Sequence, residues 1–116
     1  KVYAVVKTLY TPVADSNIKF YDEDVELIKD GKLFERPEFE DFFIKTKDKE
    51  LRGVMNKISM MFLKIDVSDK GDLLVSLDDM WLDVLDKDIS DRLLKKKRKT
   101  PLCYKWTGKR FKKVVN

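Results

Sequence analysis

The residues with the clearest chemical potential are the cations in the last quarter of this 116-residue chain. Residues 92–116, here called the basic tail, contain eleven Lys and Arg and no acid, so they carry a formal charge of +11. The other fourteen basic and twenty-one acidic residues leave residues 1–91 at −7, which gives the net charge of +4. Within the tail, the candidate basic surface consists of Lys95, Lys96, Lys97, Arg98, Lys99, Lys105, Arg110 and Lys112. A field of this kind can bind phosphate backbones or other polyanions, and the run at 95–99 also matches a nuclear-localisation pattern.

A structural interpretation accounts for the same residues. Lysines at the end of a helix complement its dipole, and nucleic-acid-binding folds carry further marks that this chain lacks. Tyr104, Trp106 and Phe111 could stack on bases, but a strand face of aromatics more often belongs to a core. We therefore predict that the aromatic face of the C-terminal hairpin is buried and that only its charged face remains exposed.

Catalysis and metal binding have little support in the sequence. The chain has no His, no G-x-S-x-G elbow and no glycine-rich phosphate loop. Residues 66–72 resemble the start of a calcium loop with Gly71 in sixth place, but Lys70 and Leu77 stand where ligands are required. An acidic run around Trp81 is predicted to cap helices, with a loose cation site as the alternative. We predict a protein that is not an enzyme, with no catalytic, cofactor-binding or metal-binding residue and no cofactor.

The length, the single cysteine and the apolar runs limit the organisation of the chain. The length suits a single α+β domain over residues 1–116. Cys103 cannot form an internal disulfide and is predicted to be a small apolar strand residue, although a reactive thiol is the alternative. No apolar run reaches the roughly 18 residues that span a bilayer, so no transmembrane segment is predicted. Because strand-forming residues begin at Val2, the chain is expected to be part of a longer precursor.

Hydrophobic periodicity predicts the first half of the fold. Residues 2–9 are predicted as a strand with at least one buried face, 15–17 as a turn, and 18–21 as a second strand with Phe20 on its inner side. Residues 22–35 are predicted to be irregular. Pro37 is predicted as the first residue of a short helix that presents a stripe of phenylalanines. A second helix is predicted to start at Asp48, with apolar residues at i, i+3, i+4 and i+7 from Leu51 to Ile58.

The second half is predicted to contain two hairpins with a helix between them. The first hairpin turns at 69–72. Asp88 is predicted as the N-cap of the third helix, which ends before Pro101. The closing hairpin is predicted to turn at Thr107-Gly108, a register that pairs Trp106 with Lys109, Lys105 with Arg110 and Tyr104 with Phe111. Hairpins separated by helices indicate an α+β fold in which two or three short helices pack on one face of an antiparallel β-sheet.

Several separated motifs resemble a known family. They are VKT at 6–8 with Thr11-Pro12, DSNIKFY at 15–21, PEFEDFF at 37–43, PLCYKW at 101–106 and GKRF at 108–111. In order and spacing they resemble the C-terminal half of an uncharacterised family of exported Bacteroidales proteins. The run at 95–99 departs from that pattern by being more basic.

The resemblance implies a signal sequence and a further N-terminal portion, a periplasmic or cell-envelope location, and a fold like the repeat units of the β-lactamase-inhibitor protein. It implies no substrate, cofactor or catalytic residue. A protein in that location would contact another protein or an anionic envelope component rather than nucleic acid. The hypothesis is a non-enzymatic interaction module of the cell envelope, and the alternative is a polyanion or nucleic-acid binder that uses residues 92–116. The oligomeric state is left open.

Overall fold

The computed structural model describes residues 2–10, 15–29, 31–58, 61–83 and 85–114, without the side chains of Met80 and Asp83. The strands in these ranges are β1 (Tyr3–Leu9), β2 (Asp15–Tyr21), β3 (Leu27–Ile28), β4 (Leu63–Val67), β5 (Leu73–Leu77), β6 (Leu102–Trp106) and β7 (Phe111–Lys113). The helices are α1 (Lys49–Lys57), α2 (Lys87–Leu94) and two 3₁₀ helices, Phe39–Phe42 and Asp79–Asp83.

The described strands form two antiparallel sheets. The first has the order β1-β2-β3 and the second the order β4-β5-β6-β7. The predicted α+β class with antiparallel hairpins is therefore confirmed, and the structure adds that the strands are divided between two sheets. The predicted turn at 15–17 is wrong, because Asp15 and Asn17 pair with Leu9 and Lys7 inside β2. Residues 11–14, between β1 and β2, lie outside the described residues.

The first strand is more exposed than its sequence predicts. Of the side chains that β1 turns towards the core, Val6 and Thr8 are half-buried, and no residue of the strand is fully buried. The prediction of a buried face on this strand is therefore wrong. The physical reason is its place at the edge of the first sheet, where β2 is its only hydrogen-bonded neighbour among the described strands. Alternation along a strand shows which residues share a face but not how much of that face is covered.

The two sheets meet at β2 and β4 through side chains rather than through a strand ladder. The Ile65 N–H donates to Ser16 Oγ over 2.8 Å, and the Leu63 N–H donates to Asp15 Oδ1 over 3.4 Å. The Ser16 hydroxyl also lies 2.7 Å from that of Thr8. Ser16 is only 4% exposed, so its hydrogen bonds replace those that water would make.

The core lies mainly beside the second sheet. Its most deeply buried side chains, each at most 2% exposed, are Phe43, Leu51, Leu63, Leu73, Val75 and Leu93. Burying a side chain of this size contributes about 1.5–3 kcal/mol. Phe39 and Phe43 stack with their centroids 4.9 Å apart, and Trp81 meets both rings edge-on. The predicted phenylalanine stripe is therefore confirmed as core.

The first 3₁₀ helix begins later than predicted. Glu38 is its N-cap, and the Glu38 N–H donates to Asp41 Oδ2 over 2.8 Å. Pro37 consequently precedes the cap instead of occupying the first helical position, so that prediction is wrong. The interaction between Glu38 and Asp41 sets the start of the helix, because it provides an acceptor for an N–H that the helix itself leaves unbonded.

The two α-helices differ in how well the sequence marks their ends. Asp48 caps α1 as predicted and accepts hydrogen bonds from the N–H groups of Glu50 and Leu51. The N-cap of α2 is Asp86, so the prediction of Asp88 is wrong, and Asp88 lies in the first turn. Helix α2 ends at Leu94 because the chain after it binds the end of the first 3₁₀ helix. Ile44 donates to the Lys96 carbonyl over 2.7 Å, and Arg98 donates to the Phe42 carbonyl over 2.8 Å.

Candidate basic interaction surface

The closing hairpin, β6 and β7, has a different register from the predicted one. The pairs are Trp106 with Phe111, Lys105 with Lys112 and Tyr104 with Lys113. The two-residue turn is therefore wrong, and the strands are joined by residues 107–110. The Thr107 side chain stabilises this loop, since Thr107 Oγ1 donates to the Arg110 carbonyl over 3.1 Å and accepts from the Arg110 N–H over 3.3 Å. Gly108 has a φ of +96°, a conformation that glycine adopts without strain.

The new register changes which cations face each other. Lys105 and Lys112 are cross-strand partners on the outward face, and both are exposed. Arg110 lies in the exposed loop instead of opposite Lys105. Like charges placed directly opposite each other destabilise a strand pair and strengthen the local positive field. The hairpin thus presents a lysine pair that an anion would stabilise.

The aromatic face of the hairpin is only partly buried. Tyr104 and Phe111 are 3% and 9% exposed, as predicted for a core face, but Trp106 is 38% exposed. The prediction that Trp106 is buried is therefore wrong. Trp106 is the last residue of β6. β5 pairs with β6 only over Leu102–Tyr104, so Trp106 extends past the segment that β5 covers. Its ring packs on Phe111 with centroids 5.1 Å apart.

The cations at 95–99 divide into two groups. Lys97 Nζ lies 2.8 Å from Asp79 Oδ1, and Arg98 Nε donates to the Asp41 carbonyl over 3.2 Å. These two side chains therefore hold the segment against the two 3₁₀ helices. Lys95, Lys96 and Lys99 are exposed. Of this run, these three lysines are the ones best placed to contact a partner.

A groove beside β7 collects charges that are distant in sequence. Its volume is about 400 Å³, and its lining includes the predicted residues Arg110 and Lys112. The other charged lining residues are Lys32, Glu35, Arg36, Glu38, Asp41 and Lys113. Lys113 Nζ lies 3.2 Å from Asp41 Oδ1, the residue whose carbonyl accepts from Arg98. The sequence did not single out Lys32, Arg36 or Lys113, since no local pattern relates residues 32–41 to the last strand.

Arg92, the first cation of the tail, belongs to the fold rather than to the exposed surface. It binds Asp48, lies 2.5 Å from Glu50 and 3.5 Å from Asp88, and so ties the start of α1 to α2. These hydrogen bonds raise the pKa of Arg92 above its usual value and, through Arg92, hold the pKa of Asp48 below its usual value. The charge of Arg92 is consequently compensated by neighbouring acids.

Tyr104 is the buried ionisable group closest to this surface. Burial raises the pKa of Tyr104 to about 12, and the charges of Asp41 and Glu35 act in the same direction. Its ring also packs on Phe34 with centroids 4.9 Å apart. The folded state therefore holds this phenol protonated to a higher pH than the unfolded chain does.

Stability is expected to fall as the pH rises from about 10 to about 12. The unfolded tyrosine releases its proton near pH 10, whereas the folded one holds it to about 12, so the stabilisation is complete below pH 10. Urea unfolding of the wild type and Tyr104→Phe at several alkaline pH values measures this effect. The wild type should lose stability more steeply than the variant in this window, and parallel curves would contradict the assignment.

The remaining candidate sites give no metal or membrane signal. Over the described ranges no three His, Cys, Asp or Glu side chains come together as a metal-binding group. Gly71, with a φ of +81°, lies in the turn between β4 and β5, where its N–H donates to the Ser68 carbonyl. Cys103 is half-buried. None of the described helices is long and apolar enough to span a membrane.

The fold and surface define a small α+β protein with two antiparallel sheets and an exposed basic hairpin. The chain belongs to the family described as "Protein of unknown function (DUF3256)", whose model matches residues 1–111. No curated protein matches it. The predicted resemblance to an uncharacterised family is confirmed at this level.

A solved structure has a similar fold. It is described as the "Structure of a domain of an uncharacterized protein from Porphyromonas gingivalis W83", a member of the Bacteroidales. The TM-score is 0.79 at 24% sequence identity, a similarity that establishes the fold alone. The match covers 99% of this chain and 59% of the other, so this chain spans little more than half the length of its relative.

Proposed function

We propose that the chain is a non-enzymatic interaction module of the cell envelope, in the periplasm or at the surface. Its partner would be a protein or an anionic envelope component. Support for the envelope location comes from the resemblance to exported Bacteroidales proteins. Support for the interaction role comes from exposed apolar surface on the first sheet.

The outward face of β1 is the observation that carries the proposal. Tyr3, Val5 and Leu9 alternate along this strand and share the face with the exposed Lys7; the three apolar side chains are 45%, 40% and 74% exposed. Tyr21 of β2 pairs with Tyr3 on one side and with Leu27 of β3 on the other. Leu27 is 47% exposed and extends the apolar surface across the sheet. Among the described strands β1 is hydrogen-bonded only to β2. An edge strand whose exposed side chains are mainly apolar is a template for pairing with another chain.

Replacing Val5 with Lys is expected to abolish capture of partners from envelope extract by the immobilised chain. Lysine on an edge strand opposes pairing and removes apolar contact area. Because Val5 faces Lys19 across β1 and β2, urea unfolding of the variant checks that it remains folded. Val114→Lys is the matched control, because Val114 is 38% exposed and gains the same charge. Quantitative mass spectrometry of the captured proteins measures the result. Equal capture by the two variants would contradict a role for β1.

The second candidate function is polyanion or nucleic-acid binding through the basic tail. The observation that favours it is the exposed Lys105–Lys112 pair, together with the exposed Lys95, Lys96 and Lys99. Capture from envelope extract, combined with elution from a heparin column, distinguishes this function from protein interaction through β1. A chain with these five lysines changed to Gln should elute at clearly lower salt if the tail binds polyanions, while keeping its protein partners. Lys97 and Arg98 are left unchanged because they have acceptors within the fold.

A further inference from the structure

A cleft between the two sheets has an unusual charge distribution. It lies between β2, β3 and β4, has a volume of about 320 Å³, and is therefore of the size that binding pockets occupy. Thirteen described residues line it, and none of them is acidic, while the neighbouring Asp15 carboxylate accepts from the N–H of the lining residue Leu63. Three are cations: Lys19, Lys29 and Arg36.

The cations at the cleft are available to bind an anion. Within the described ranges neither Lys19 nor Lys29 is part of an ion pair, and both side chains are exposed. Arg36 uses one Nη2 hydrogen bond, 3.3 Å long, to the Met61 carbonyl. Its guanidinium carries five N–H donors in all, so most of them remain available. Three cations around one cleft would stabilise carboxylate groups placed between them.

The walls of the cleft provide the other features of a peptide site. β2 pairs with β3 only at Phe20 and Tyr21, so the rest of β2 has no strand beside it there. β4 faces the same gap, where only the side chains of Asp15 and Ser16 bridge the two strands. Half-buried apolar side chains, those of Ile18, Ile28 and Phe34, line the gap as well. Unpaired strand edges bind extended peptides through their main chain, and pockets beside them select alternate side chains.

We propose that this cleft binds an extended, acidic segment of a protein partner, which adds a short strand to the edge of β2 that β3 leaves unpaired. Its backbone bonds to the open strand edge, its apolar side chains contact Ile18 and Phe34, and its carboxylates lie against Lys19 and Lys29. The inference rests on the proposed function, because it assigns one binding site and one class of partner to the interaction module.

The test uses a fluorescein-labelled octapeptide of alternating valine and glutamate, titrated with the full chain. We expect saturable anisotropy, with amide shifts in NMR spectra concentrated at residues 16–19 and 63–65. Reversing both charges, Lys19→Glu with Lys29→Glu, should weaken binding at least about tenfold. The matched control is Lys70→Glu with Lys87→Glu, which reverses two exposed charges away from the cleft and should bind as the wild type does.

Five outcomes would overturn the inference. They are the absence of saturable peptide binding, equal binding by the two double variants, equal binding of an alternating valine–lysine peptide, shifts confined to other surfaces, and complete displacement of the peptide by octanoate. The last would identify the cleft as a site for small anionic amphiphiles. If the wild type binds the peptide but the Val5→Lys variant still captures partners from extract, the β1 surface is refuted and the cleft is supported. If the Val5→Lys variant loses capture but the wild type does not bind the peptide, only the cleft is refuted.

Discussion

Replacing Phe43 with Ala is expected to lower the free energy of unfolding by about 3–5 kcal/mol. Phe43 is 2% exposed, stacks on Phe39 at a centroid distance of 4.9 Å, and meets the Trp81 ring at 5.5 Å with an interplanar angle of 83°. Truncation removes apolar burial, leaves a cavity, and loses ring contacts worth about 0.5–1.5 kcal/mol each. Urea unfolding followed by far-UV circular dichroism measures the loss.

Trp81→Phe is the comparison that separates packing from polar effects in this cluster. Among the described residues Trp81 Nε1 has no hydrogen-bond partner, although it is fully buried. A buried polar group without a partner costs about 1–3 kcal/mol, so its removal offsets much of the lost ring area. The Trp81 variant should therefore be much more stable than the Phe43 variant. A loss below about 1 kcal/mol for Phe43→Ala would show that the aromatic cluster contributes little to the core.

Replacing Ser16 with Ala is expected to lower the free energy of unfolding by about 1–3 kcal/mol. The change leaves the Ile65 N–H without its acceptor at 2.8 Å and the Thr8 hydroxyl without its neighbour at 2.7 Å. Both bonds lie where the two sheets meet. Urea unfolding gives the magnitude, and hydrogen exchange at the Ile65 amide locates the effect.

Ser76→Ala is the matched control for that change. Ser76 is a half-buried residue of β5, and the same substitution there should alter stability by no more than about 0.5 kcal/mol. Exchange at Ile65 should accelerate only in the Ser16 variant. Equal stability of the two variants, with unchanged exchange at Ile65, would show that the junction does not depend on Ser16.

The parts of the fold that depend on near neighbours in sequence were predictable. The i, i+3, i+4 pattern from Leu51 to Ile58 predicted α1, and Asp48 marked its start because its cap bonds reach only two and three residues ahead. The hairpin of β4 and β5 followed from alternation on both sides of a turn that contains Gly71. In each case the contacts that decide the structure lie within a few residues.

The register of the closing hairpin was not predictable in the same way. Thr107-Gly108 suits a two-residue turn, but the hydrogen bonds of the Thr107 side chain favour the longer loop. The exposure of Trp106 depends on where β5 stops pairing, which is information from residues about thirty positions earlier. Alternation alone could not reveal either feature.

The candidate sites were only partly predictable for the same reason. Composition identified the basic tail, since eleven cations without an acid are visible in the sequence. Composition could not show that Lys97 and Arg98 donate hydrogen bonds to residues of the two 3₁₀ helices. The cleft escaped prediction altogether, because Lys19, Lys29 and Arg36 share no motif and line one cleft only once β2, β3 and β4 are in place.

Phe111 affects the order in which the molecule can be completed during synthesis. Its N–H donates to the Leu33 carbonyl over 2.7 Å, and its ring lies 6.0 Å from that of Phe20. The ribosome makes Leu33 and Phe20 roughly eighty and ninety residues before Phe111 itself. The N-terminal strands therefore keep part of their apolar surface uncovered until β7 has been made, and a folding intermediate that lacks β7 exposes this surface.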